Sequence, residues 1–148
     1  MKPSRVSISR GIEAYGSNDN VRLANGDVEV ILATAYGPRL LQYARIGGPN
    51  VLGVVLDLPG KPTPYGDSWH IRGGHRLWYA PEEEPRTYYP DNSPVTIELG
   101  DGYVTLVQTP EATSRLEKRV RVSLEPRGAR VELTHELINR GLSSVELA

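Results

Sequence analysis

Val95-Thr96-Ile97-Glu98-Leu99-Gly100-Asp101-Gly102-Tyr103-Val104-Thr105-Leu106-Val107 is the stretch that decides the fold class. Val95, Ile97 and Leu99 alternate with Thr96 and Glu98, which puts apolar and polar side chains on opposite faces of an extended chain. Asp101-Gly102 then supplies the positive φ of a tight hairpin turn, and the chain returns as a second strand. The same grammar recurs on both sides. Upstream, Asn25-Gly26 precedes an alternation of Val28, Val30 and Leu32 with Asp27 and Glu29, predicting a hairpin over residues 20–34. Downstream, Leu116, Val120, Val122 and Leu124 share one face while Glu117, Arg119 and Arg121 share the other. Pro126-Arg127-Gly128 turns the chain, and Val131, Leu133, His135 and Leu137 continue it. Strands that bury one face belong to antiparallel sheets, and no window carries the three-to-four-residue apolar spacing of a long helix. The expectation is an all-β antiparallel sandwich.

Between these hairpins residues 47–94 hold eight of the twelve prolines. Proline donates nothing to a sheet ladder, so this stretch reads as loop with at most short edge strands such as 51–56. A connection of that length inside a compact domain builds a site or is disordered, and its aromatic content argues for a site. Its centre is His70-Ile71-Arg72-Gly73-Gly74-His75-Arg76-Leu77-Trp78-Tyr79-Ala80-Pro81-Glu82, with Trp69 directly before it. Guanidinium, imidazole, carboxylate and flat rings beside a diglycine suit a polar ligand with an apolar face, and a sugar ring meets that description.

The remaining composition sets bounds. A chain of 148 residues with a net charge of −1 is one domain's worth and offers no electrostatic reason to bind nucleic acid or an anionic membrane. Met1-Lys2-Pro3-Ser4-Arg5 lacks the apolar core of a secretory signal, and no stretch has the length to cross a bilayer, so a soluble, cytoplasmic protein is expected. The absence of cysteine removes disulfides and thiolate zinc sites. No cofactor is expected. Histidine and carboxylate ligands from His70, His75 and Glu82 suit a metal, but their spacing matches no metal motif, and none is assigned.

Three motifs carry a resemblance. Gly37-Pro38-Arg39-Leu40-Leu41-Gln42-Tyr43, Asn50-Val51-Leu52-Gly53 and Ile71-Arg72-Gly73-Gly74-His75-Arg76-Leu77-Trp78-Tyr79-Ala80-Pro81-Glu82 resemble the N-terminal half of galactose-mutarotase-like proteins, among which the hexose-6-phosphate epimerases carry a similar Ile-Arg-Gly-Gly run. The resemblance implies a two-sheet supersandwich binding carbohydrate on a concave face, with residues 1–148 as the N-terminal part of a larger family fold. It also implies catalytic incompleteness. In the family a histidine acid follows a strand resembling residues 144–148, the glutamate base comes later, and this chain stops before both; His135 lies on the preceding strand.

The carbohydrate-binding residues expected on these grounds are Arg39, Arg72, His75, Trp78 and Glu82, with a sugar or sugar phosphate as partner. Each also has a structural use. Arginine is the dominant base, fourteen against three lysines, and some of it serves the surface; His75 anchors a loop as readily as it donates a proton. Without phenylalanine, tryptophan must help fill the core, and Trp69 reads as structural; His135 reads as a histidine satisfied by a neighbouring backbone group. Two functions follow: a carbohydrate-binding module without chemistry, or an aldose or hexose-phosphate epimerase whose acid and base are non-standard or completed by oligomerisation. Half a supersandwich leaves open edges and an uncovered apolar face, so a homodimer or higher oligomer is expected.

Overall fold

The computed structural model describes residues 5–147. Two antiparallel sheets pack face to face. The first joins β1 (Ser7–Ala14), β2 (Ser17–Ala24), β3 (Val28–Leu32), β4 (Arg39–Arg45) and β7 (His75–Arg76) in the order β1-β2-β3-β4-β7. The second joins β8 (Thr96–Leu99), β9 (Tyr103–Val107), β10 (Leu116–Leu124) and β11 (Val131–Asn139) in the order β11-β10-β9-β8. A small ribbon of β5 (Lys61–Pro62) and β6 (Ser68–Trp69) stands apart, and one 3₁₀ turn covers Arg86–Tyr88. Among the described residues there is no α-helix, and no helix is long and apolar enough to cross a membrane.

The three expected hairpins form. Val21, Leu23, Val28, Val30, Leu32 and Leu40 from the first sheet meet Val104, Leu106, Val120, Val122 and Leu124 from the second in one apolar core. Burying each such side chain contributes about 1.5–3 kcal/mol before the entropy of ordering is counted. The opposite faces are polar. On the second sheet Arg121 pairs with Thr105 and Thr134, and its guanidinium lies 3.5 Å over the Tyr103 ring. On the first, Arg22 meets Glu29 at 2.6 Å and the Gln42 amide donates to Glu29 at 2.7 Å.

Four features depart from the expectations. β1 has no counterpart in the alternation pattern, because two register irregularities interrupt its pairing with β2. The buried Asn20 amide fills that irregular segment by donating to the carbonyls of Ile12 and Ala14 at 3.2 and 2.7 Å. Within 51–56 only Val54 pairs, through a single bridge to Gly73. His135 lies opposite core residue Val120, yet it is exposed at the sheet edge, and its partner is the imidazole of His75. Residues 144–147 form no strand, while residues 1–4 and Ala148 lie outside the described residues.

The ends of the sandwich are pinned by hydrogen bonds, from a side chain at one end and from the backbone at the other. The Asn25 amide donates to the carbonyls of Glu125 and Gly128, both at 2.8 Å, tying the β2–β3 turn to the β10–β11 turn. At the other end Val95 N–H donates to the Thr34 carbonyl at 2.9 Å, and Gly37 N–H donates to the Asp91 carbonyl at 3.0 Å. These bonds fix the long irregular segment against the β3–β4 connection, where the candidate site forms.

Candidate functional site

Arg39 begins β4 and is 1 % exposed. Its Nη2 meets Asp91 Oδ2 at 2.9 Å, and its Nη1 donates to the carbonyls of Ile71 and Gly73. Arg72 reaches the other oxygen of Asp91 at 3.4 Å, donates to Asn92 Oδ1 at 2.8 Å, and stacks 4.3 Å over the Tyr36 ring. The diglycine makes this convergence possible. Gly73 and Gly74 hold φ of +76° and +71°, and an added Cβ would run into the Gly53 carbonyl at one and the Leu40 carbonyl at the other. Two guanidiniums therefore close on one carboxylate and hold the 71–73 backbone to the 91–92 segment.

That buckle forms the back of a cleft of about 250 Å³. Tyr65 and Asp67 approach it from the β5–β6 ribbon, Tyr89, Asp91 and Asn92 from the segment after the 3₁₀ turn, and Gln108 from the end of β9. The Tyr65 and Tyr89 rings have centroids 5.0 Å apart and are tilted by 49°. Asn92 donates to Asp67 Oδ2 at 2.6 Å and to the Ser68 carbonyl at 2.8 Å. The Asn92 amide and the Ser68 N–H hold the Asp67 carboxyl below the usual carboxylate range. Gln108 is 7 % exposed and lines the cleft, and its amide oxygen has no hydrogen-bond partner.

None of the five residues singled out from the sequence lines this cleft. Arg39 and Arg72 support its wall from behind. Trp78 lies in an adjoining aromatic cluster, edge-on to Trp69 and Tyr88 with centroids 6.0 and 5.4 Å apart. Arg76 stacks 3.7 Å over the Trp78 ring and is lowered to about 10 by burial and by Arg39. Glu82 is exposed and accepts the Tyr88 hydroxyl. His75 lies elsewhere: its Nε2 lies 2.8 Å from that of His135, and it lines a separate apolar groove between β4 and β11. Burial, then the neighbouring His135, hold the His75 imidazole below its ordinary value. Among the described residues no three histidine or acidic side chains gather where they could hold a metal ion.

No protein-family model, curated protein or solved structure matches this chain. The chemistry is therefore read from the site alone. Two flat rings, two carboxylates and the Gln108 amide line the cleft, and groups of these types are able to hydrogen-bond hydroxyls and to pack against an apolar ring face. Tyr65, Tyr89 and Gln108 escaped the sequence reading. The signal for them is modest: Pro64-Tyr65 and Tyr89-Pro90 place rings on rigid turns, and Gln108-Thr109-Pro110 ends a strand.

Proposed function

We propose that this protein is a carbohydrate-binding β-sandwich of the galactose-mutarotase-like kind that binds without chemistry. The Gln108 amide, which lines a cleft flanked by Tyr65 and Tyr89 and whose buried oxygen has no partner, carries this reading. A buried amide oxygen left without a donor costs free energy, and a ligand hydroxyl that reaches it recovers that cost. The paired rings supply the stacking surface a pyranose uses. Ring opening and closure need a group that donates a proton near neutral pH. The cleft contains no histidine, Asp91 is ion-paired twice, and Asp67 is held ionised. The acid and base candidates on the neighbouring segment, His75 and Glu82, are committed to His135 and Tyr88.

Self-association belongs to the same proposal. Among the described residues β11 pairs on one edge only, and Val51, Val55, Leu58 and Ile71 are exposed apolar side chains on the irregular segment.

Calorimetric titration with a panel of hexoses tests the binding reading. The expected result is saturable binding to at least one sugar, weakened about fivefold or more by Gln108→Ala through loss of one buried hydrogen bond. Binding that Gln108→Ala leaves unchanged contradicts the assignment of the cleft. Polarimetry on fresh α-sugar solutions should give the buffer rate, and acceleration would favour the epimerase reading instead.

A further inference from the structure

We infer that the cleft selects sugars bearing an amine, hexosamines in particular, over neutral hexoses and sugar phosphates. The inference rests on the carbohydrate reading and narrows it. Its basis is the sign of the groups that line the cleft. The charged side chains there are Asp67 and Asp91, and no lysine or arginine is among the lining residues. Asp91 is engaged by Arg39 and Arg72 from behind the wall. Asp67 differs: its side chain is on the exposed rim and, among the described residues, forms no ion pair, its contacts being the Asn92 amide and the Ser68 N–H at 2.6 and 2.8 Å. The buried Gln108 amide oxygen adds an acceptor that no donor of the protein satisfies.

A ligand suited to these groups brings donors and positive charge. An ammonium meets the Asp67 carboxylate, which forms no ion pair among the described residues, and the faces of the Tyr65 and Tyr89 rings, while the sugar's hydroxyls meet the Gln108 amide. A phosphoryl group has no such counterpart. Phosphate recognition uses guanidinium, ammonium or clustered backbone N–H groups, and the two arginines nearest the cleft already serve Asp91 and Asn92.

Competition calorimetry with matched sets tests this: glucose, glucosamine and glucose 6-phosphate, then the galactose and mannose equivalents, at one ionic strength. In at least one set the amine should bind about fivefold tighter than its neutral parent, the scale of one exposed charge pair, and the phosphate weaker than both. Asp67→Asn keeps the shape of the side chain and removes the charge, and its single amide oxygen retains one of the two hydrogen bonds that the Asn92 amide and the Ser68 N–H now donate. It should bring the amine and its neutral parent to within about twofold of each other, and an unchanged thermal melt would establish that the variant is folded. Equal affinity for amine and parent, tighter binding of the phosphate, or an amine preference that survives Asp67→Asn would overturn the inference and leave the carbohydrate reading standing. Failure of every sugar to bind would defeat both.

Discussion

Arg39 is a cation in the interior, and its stability depends on Asp91 being there to meet it. Truncating one partner of a buried ion pair leaves the other uncompensated, so Arg39→Ala should lower the unfolding free energy by about 3–5 kcal/mol. Urea denaturation measures this, and a loss below about 1 kcal/mol would show that Arg72 alone can satisfy Asp91. The His75–His135 contact makes a prediction of a different kind. An imidazole whose folded pKa lies below its ordinary 6.5 is protonated first in the unfolded chain as the solution is acidified. The stabilisation is therefore complete above that pH and is lost as pH falls toward the lowered folded value. Arg130 also lines this groove, but it is exposed and pairs with Glu125 and Glu132. His135→Asn removes the lesser of the two causes and leaves the burial, so it should flatten part of the fall in stability between about pH 7 and 5, and parallel pH profiles for the two proteins would contradict the pairing.

Among the elements, the diglycine bend between β6 and β7 couples the most parts of the structure. Gly74 N–H donates to the Gly53 carbonyl at 2.7 Å, Val55 N–H to the Arg72 carbonyl at 2.8 Å, and the bend delivers His75 to pair with Leu40. Gly74→Ala combines positive φ with a backbone collision and should cost about 2–4 kcal/mol, read as a fall in midpoint temperature. An unchanged midpoint would mean that the bend relaxes freely. The regular hairpins were legible because Asn25-Gly26 and Asp101-Gly102 coincide with uninterrupted alternation on both sides. β1 was not, since Gly11 and its irregular pairing break the period and a side chain of the next strand, Asn20, completes the bonding. The two-residue strands of the irregular segment exist through tertiary pairing alone and leave no periodic trace.

At the scale of the whole molecule, the sandwich closes its ends with Asn25 and Asp91 but leaves β11 open along one edge. Light scattering at micromolar concentration should therefore report a dimer or larger species, and a stable monomer would show that the open edge and exposed apolar side chains are tolerated alone. The site was only partly legible for a related reason. Sequence identifies guanidiniums able to bind a ligand, yet Asp91, which takes both, lies 52 residues from Arg39 and 19 from Arg72. In the fold both arginines meet Asp91, and the proposed cleft is lined instead by Tyr65, Tyr89 and Gln108, residues whose types alone do not distinguish them. The most direct test of the account is an amide nuclear magnetic resonance titration with hexoses and hexosamines. The account predicts perturbations concentrated on Tyr65, Asp67, Tyr89, Asn92 and the Gln108 side-chain amide; perturbations centred on His75 and the β4–β11 groove, or none with any sugar, would contradict it.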